Sequence, residues 1–181
     1  MKQQLDTTIA LLARTPGALN ALLRDLPETW TLRNEGENTW TVRDVVAHLA
    51  QLERSDWMPR LRRILESGET RPFDPIDREA SVRGAQGKRL EELLDEFARL
   101  RGENLEQLRT FQLQPADFAR RGRHPALGAV TLSDLLATWV AHDMTHLHQI
   151  ARIMAHQYRD AVGPWNKFLG VLQCSGHSAP A

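Results

Sequence analysis

Residues 131–158, TLSDLLATWVAHDMTHLHQIARIMAHQY, form the stretch that decides the fold. The stretch opens on Thr131 with Asp134 three residues later, an acidic variant of the capping box that begins a helix. A rotation of about 100° per residue places several large apolar residues on one face of this helix. They are Leu135, Trp139, Ile150 and Ile153. The spacing predicts a long helix with one buried face, ending at about Tyr158.

Two histidines, His142 and His146, share that buried face. They project about 40° apart and lie roughly one helical turn from each other, so that their imidazoles can chelate a single ion. Asp143 and Gln149 flank the pair and could orient an imidazole through its other ring nitrogen. The spacing also allows a second interpretation, in which both are ordinary buried histidines that are hydrogen-bonded to a carbonyl or a carboxylate.

The other histidines fit such a site less well. His148 points away from the pair, and His156 lies about 15 Å along the helix axis from His146. We therefore predict that both are surface or packing residues. His124 lies in a segment that is predicted to be irregular, and its position carries no signal of its own.

A second helix is predicted to begin with Thr41 as its N-cap, with Asp44 three residues on, and to extend to about Leu65. Its apolar stripe consists of Val42, Val45, Leu49 and Leu52. His48 lies at the edge of this stripe and can reach a neighbouring helix. A third imidazole from His48 would complete a three-histidine site with an open coordination position, which is typical of a catalytic metal ion.

Two more helices complete the predicted bundle. Apolar residues recur at helical spacing over residues 3–26, where Pro16 and Gly17 can kink or split the helix. A third helix carries a leucine-rich stripe over residues 90–108. The fold class is therefore all-α, a four-helix bundle whose connection order stays open on physical grounds.

The connections are long. Residues 67–87 are predicted to form a crossover loop, and residues 114–130 an irregular segment with an arginine cluster at Arg120, Arg121 and Arg123. No strand-like alternation competes with the helices. Residues 165–172 form a short amphipathic helical piece, which we interpret as a lid or brace. Residues 1–173 are thus predicted to form one domain, followed by a disordered tail at 174–181.

The bulk composition narrows the classes of partner. Lysine plus arginine total 23 and aspartate plus glutamate total 23, so no net charge attracts nucleic acid. No apolar stretch is long enough for a membrane span, and the N-terminus lacks the pattern of a signal peptide, which predicts a cytoplasmic protein. Cys174 is the single cysteine, so a bound metal must be held by histidine and carboxylate.

Three motifs together resemble the DinB/YfiT-like superfamily: WTVRDVVAHL at 40–49, AHDMTHLHQI at 141–150 and GPW at 163–165. The resemblance covers nearly the whole chain and implies a four-helix bundle with up-down-down-up connections, often a homodimer. It also implies a nickel or zinc ion bound by three histidines that match His48, His142 and His146. Relatives include S-transferases and isomerases that use bacillithiol, mycothiol or glutathione.

Three functions remain open at this stage. The leading hypothesis is a transferase whose divalent metal ion activates a low-molecular-weight thiol toward a small-molecule electrophile. The second is a hydrolase that uses metal-bound water, with Asp44, Asp143 or Glu53 as the base, although helix capping already explains Asp44. The third is a non-catalytic binding module of a stress response.

Overall fold

The computed structural model describes residues 2–77 and 80–174. In this part of the chain the elements in order are α1 (Lys2–Leu12), α2 (Thr15–Leu23), α3 (Glu28–Thr31), α4 (Val42–Ser55), α5 (Trp57–Ser67), α6 (Ala80–Ala85), α7 (Leu90–Thr110), β1 (Arg121–His124), β2 (Gly128–Thr131), α8 (Leu132–His156) and α9 (Gly170–Gln173). Short 3₁₀ turns follow α5, precede β1 and precede α9.

The predicted four-helix bundle is confirmed, with α1 and α2 together, α4 and α5 together, α7 and α8 as its long members. The helices enclose two apolar clusters, one around Trp57 and Trp139 and the other around Phe97 and Ile150. Thr41 and Thr131 cap α4 and α8, and each capping box is closed by the aspartate three residues later. These boxes satisfy free N–H groups at the first turns and so define where both histidine-bearing helices begin.

The second predicted helix is in fact two helices. The chain turns at Asp56, which separates α4 from α5 and has φ −116° and ψ −67°. Pro59 explains the break, because its ring nitrogen cannot donate to the carbonyl of Ser55 and its ring would collide with that carbonyl. The first predicted helix is likewise divided between Leu12 and Thr15, at the interruption that the sequence indicates.

The prediction that residues 114–130 are irregular and free of strands was wrong. They contain β1, which pairs antiparallel with β2 so that Arg121 lies opposite Thr131 and His124 opposite Gly128. The strands, RGRH and GAVT, have only four residues each and show no alternating pattern of polar and apolar residues. Tertiary packing selects the hairpin: an added Cβ at Gly122 would lie 2.7 Å from Ile64 Cγ1 of α5 and 2.9 Å from the Phe73 ring. The Phe73 N–H also donates to the Arg123 carbonyl at 2.9 Å.

The C-terminal piece braces the bundle, since α9 packs against α8, and the predicted short C-terminal helix is confirmed. Its 3₁₀ turn, Gly163–Phe168, leaves Trp165 and Phe168 largely exposed. The predicted tail lies, apart from Cys174, outside the described residues. Over the described ranges, no helix combines the length and apolar character that crossing a membrane requires.

Candidate metal centre

The structure brings His48 of α4 together with His142 and His146 of α8. The Nε2 atom of His142 lies 3.2 Å from Nε2 of His48 and 3.0 Å from Nε2 of His146. One candidate ligand atom from each ring lies within 4.8 Å of the others. Three imidazole nitrogens from two helices therefore converge on one point.

Two of these separations, those that involve His142, fit ligation of a single divalent ion. Zinc–imidazole bonds of about 2.1 Å at bond angles between octahedral and tetrahedral values place ligand nitrogens about 3.0–3.4 Å apart. The two measured nitrogen–nitrogen distances of 3.0 and 3.2 Å lie in that range. Three ligands leave at least one coordination position for water or substrate.

Gln149 orients one of the three rings. Its Oε1 lies 2.7 Å from Nδ1 of His146, and a carbonyl oxygen only accepts hydrogen bonds, so Nδ1 carries the proton. The lone pair of His146 Nε2 is then directed at the cluster, as ligation requires. His142 has no such partner among the described residues, because its buried Nδ1 makes no hydrogen bond.

Burial keeps two of the three imidazoles, those of His48 and His142, uncharged. Desolvation, followed by the charge of His146, lowers the pKa of His48 to about 3. Desolvation, together with the neighbouring His146, His48 and Arg101, lowers the pKa of His142 to about 2. Neutral imidazoles offer lone pairs, which makes this donor set suited to a cation.

Two tryptophans form walls around the imidazoles. The Trp40 ring lies 4.9 Å from the His48 ring and 6.1 Å from the His146 ring, measured between centroids. The Trp57 ring meets His142 edge to face at 5.2 Å and stacks on Trp139 at 5.5 Å. These contacts hold the imidazole rings in place.

A buried ion-pair network lies next to the histidines, in the interior of the bundle and outside the cavity wall. The Arg101 guanidinium of α7 binds Asp143 at 2.6 and 2.9 Å and Glu53 at 2.7 Å, and it also donates to the Leu12 carbonyl. Thr15 donates to Asp143 at 2.6 Å. The network links all four long members of the bundle. Leu12 and Thr15 belong to α1 and α2, and Arg101 belongs to α7. Glu53 lies on α4 with His48, and Asp143 lies on α8 beside His142.

The histidines open into a cavity of about 670 Å³. Most of its wall is apolar, with Leu52, Phe73 and Leu135 among the lining residues. Asp56 and Arg60 also line it, and Arg60 Nη2 lies 2.8 Å from Asp56 Oδ1. Desolvation raises the pKa of the Asp56 carboxyl to about 6, although the charge of Arg60 opposes the shift.

Comparison with known proteins places the chain in a family. The family model described as the DinB superfamily matches residues 11–150. The chain belongs to the DinB superfamily. Among solved structures it is similar to YfiT from Bacillus subtilis, described as a probable metal-dependent hydrolase with an unusual four-helix bundle topology, at 26% identity and a TM-score of 0.72. That match covers 89% of this chain and 90% of the YfiT chain. None of the curated proteins matches.

Within this DinB superfamily fold, only one of the two flanking residues contacts a histidine of the site as the sequence suggested. Gln149 makes the predicted contact with a histidine, whereas Asp143 instead binds Arg101 and Thr15. Asp143 and Glu53 were also predicted as candidate bases, but both are enclosed in the ion-pair network away from the cavity wall. Asp44 closes the capping box of α4, as its spacing indicates.

Three residues that line the cavity, Asp56, Arg60 and His124, were not predicted from the sequence as site residues. The signal for Asp56 and Arg60 was Pro59, which accounts for the break between α4 and α5, and these two residues lie on either side of this proline. His124 depends on the hairpin, which the sequence did not predict. The three arginines of the 120–123 cluster do not line the cavity, and two of them pair locally, Arg120 with Asp117 and Arg121 with Glu69. His148 is exposed and His156 half-buried, as predicted.

Proposed function

We propose that the chain is a metal-dependent hydrolase that binds one divalent ion through His48, His142 and His146 and acts on a small molecule in the adjoining cavity. The observation that carries this proposal is the convergence of three Nε2 atoms, with neighbouring separations of 3.0 and 3.2 Å, at the wall of a cavity of about 670 Å³. Nickel and zinc both suit a site of imidazole donors.

The donor set determines what a bound ion contributes. A dication held by three neutral imidazoles supplies Lewis acidity and lowers the pKa of a water or thiol that it coordinates. Gln149 keeps the His146 lone pair directed at the ion, and Trp40 and Trp57 pack against the imidazole rings. The Arg101 network holds α4 and α8 at the separation that brings the three rings together.

Asp56 favours hydrolysis over the alternatives, because hydrolysis requires a group that moves a proton. Its carboxyl lies in the same cavity, and burial raises its pKa to about 6, close to the pH at which it would work. In this proposal Asp56 accepts a proton from the attacking water and returns it to the leaving group. The description of YfiT as a probable metal-dependent hydrolase supports the same reaction class.

Thiol transfer, the leading hypothesis from the sequence, stays a prediction. It uses the same three imidazoles, and binding to a dication lowers the pKa of the thiol so that its proton passes to solvent. Hydrolysis must also return a proton to the leaving group, so it depends more strongly on Asp56. Replacing Asp56 by asparagine would then greatly lower the rate of hydrolysis and leave the coordination of a thiol unchanged.

The test compares zinc-loaded protein, chelator-treated protein and the variants His142→Ala and Asp56→Asn on a panel of small esters, amides and lactones. We expect turnover only with metal, its loss in His142→Ala, and a fall on the order of 100-fold or more in Asp56→Asn, as for a general base. Glu103→Gln serves as a control, since Glu103 pairs with Arg99 on the exposed face of α7.

The cobalt-substituted protein tests the alternative. Titration with small thiols changes its visible spectrum if a thiolate coordinates the ion. Thiolate coordination without hydrolysis of any panel member would replace hydrolysis by thiol transfer. Bound metal with neither response would favour the non-catalytic module.

A further inference from the structure

The cavity contains a second polar cluster, separate from the three histidines. Arg60 of α5 lies over the Phe73 ring, with its Cζ 5.2 Å from the ring centroid. His124 of β1 meets the same ring edge to face, at a centroid distance of 6.2 Å. All three residues line the cavity. The Phe73 ring therefore packs against both an arginine and a histidine in the cavity wall.

Most hydrogen-bond donors of Arg60 are free to bind a ligand. Its side chain is 12% exposed, and its Nη2 lies 2.8 Å from Asp56 Oδ1. Within residues 2–77 and 80–174, Asp56 is the single acidic partner of this guanidinium, and no carbonyl or hydroxyl accepts from it. A guanidinium has five N–H groups in a planar fork that matches the two oxygens of a carboxylate.

His124 adds a neutral donor. Its Nδ1 accepts hydrogen bonds from the backbone N–H groups of Ala126 at 3.1 Å and Leu127 at 3.2 Å. Burial, and then the charge of Arg60, lowers the pKa of His124, so the ring is neutral near pH 7. A neutral imidazole whose Nδ1 accepts must carry its proton on Nε2, so His124 can donate one hydrogen bond to a ligand.

The acidic residues of the cavity wall are already compensated. Asp74 pairs with Arg63, and Asp77 pairs with Arg83. Asp134 caps the N-terminus of α8, where the helix dipole favours negative charge. A dication at the three histidines would therefore leave an excess of positive charge, which an anionic ligand neutralises.

We infer that Arg60 and His124 form an anion subsite that binds the carboxylate of a small organic acid, whose reacting group lies at the three histidines. The second half of this statement rests on the proposed function. A carboxylate fits better than a phosphate dianion, because Arg60 already shares its charge with Asp56 and His124 is neutral. Leu52, Trp57 and Leu135 provide an apolar wall for the body of the ligand, so the substrate class is an apolar or aromatic carboxylic acid carrying a hydrolysable group.

The experiment uses benzoate and its neutral isostere benzamide as probes, with affinity measured by ligand-observed NMR. Titrations of the chelator-treated protein remove direct binding of benzoate to a metal, and titrations of the zinc-loaded protein follow. In the metal-free wild type we expect benzoate to bind on the order of tenfold more tightly than benzamide. In Arg60→Gln we expect this preference to disappear while the affinity for benzamide is unchanged.

Arg62→Gln is the matched control. Arg62 lies on the same helix, and removing it changes the net charge by the same amount, but Arg62 does not line the cavity. It should keep the preference for benzoate. Because Arg60→Gln leaves Asp56 without its partner, the double variant Arg60→Gln/Asp56→Asn tests the same loss without an unpaired buried charge.

Equal affinities for benzoate and benzamide in the metal-free wild type would overturn the inference, as would a preference that survives in both Arg60 variants. The two proposals fail in different ways. Failure to bind zinc would end the proposed hydrolase but leave an Arg60-dependent benzoate site intact. Zinc-dependent hydrolysis without a preference for benzoate would end the anion subsite alone.

Discussion

Gln149 and Asp56 show how single side chains set the chemistry of this cavity. Gln149 is buried on α8 and determines which nitrogen of His146 is free, and Asp56 keeps a titratable carboxyl in a mostly apolar wall. The sequence predicts the first, because Gln149 lies three residues after His146 on one helix. It does not predict the second, because Asp56 faces the cavity only through the break before Pro59.

Replacing Gln149 by leucine should weaken zinc binding by about 10- to 100-fold, because the His146 ring loses the acceptor that fixes its tautomer. Competition titration against a zinc indicator measures the change. Gln51→Leu is the control, since Gln51 bonds Ser55 and Arg54 on the outer face of α4. Equal zinc affinity in Gln149→Leu and wild type would show that this hydrogen bond does not orient the ligand.

Asp56 should make the stability of the fold depend on pH. Its pKa is raised from 3.8 to about 6, so the folded state binds this proton more tightly than the unfolded state. The stabilising contribution is complete below about pH 4 and is lost as pH rises through 6, a change of up to about 3 kcal/mol. Asparagine does not titrate, so the Asp56→Asn variant has no such pH-dependent loss of stability.

The free energies of unfolding of wild type and Asp56→Asn, measured by urea denaturation from pH 4 to 7.5, give the comparison. The variant should gain stability relative to wild type as pH rises across this range. A difference that stays constant with pH would mean that Asp56 titrates at its ordinary pKa in the folded protein.

The β1–β2 hairpin is the element that completes the cavity, because it brings His124 and Leu127 to its wall. The helices were predictable from apolar spacing and from the Thr–Asp capping boxes, since these signals are local. The hairpin was not, because its strands are selected by contact with α5 and Phe73, which no local pattern records. The break between α4 and α5 lies between these cases: Pro59 is a local signal for it, but the side chains that the break brings to the cavity depend on tertiary packing.

Gly122→Ala should destabilise the fold by about 1–3 kcal/mol, because the added methyl group would overlap the buried side chains of Ile64 and Phe73. Thermal and urea denaturation measure the effect. Gly102→Ala is the control: a Cβ there meets nothing within 4 Å, and alanine favours the interior of α7 by up to about 1 kcal/mol. Equal stability of Gly122→Ala and wild type would show that the hairpin does not pack as described.

At the scale of the whole molecule, the Arg101 network joins the four long members of the bundle around the histidines. An arginine, two carboxylates and a threonine hydroxyl are buried together, and removing one partner would leave a charge uncompensated in the core. The sequence indicates a bundle but not this network, because its members are distant in the chain. The network thus makes the spacing of α4 and α8 depend on the complete fold.

The homodimer implied by the family resemblance stays a prediction. Trp165 and Phe168 are 69% and 72% exposed, which leaves aromatic surface available next to α9. Light scattering at micromolar concentration should give twice the mass of the chain. A modest dilution should leave this mass unchanged. A monomer mass at every concentration would contradict the prediction.

The proposed function depends on the binding of one metal ion by three histidines. Elemental analysis of untagged protein after reconstitution with zinc, removal of loose metal and dialysis tests it most directly. We predict one zinc per chain in the wild type and in His148→Ala, whose imidazole is exposed on the same helix, and loss of bound zinc in His142→Ala. Zinc-free wild type, or equal zinc in His142→Ala, would contradict it.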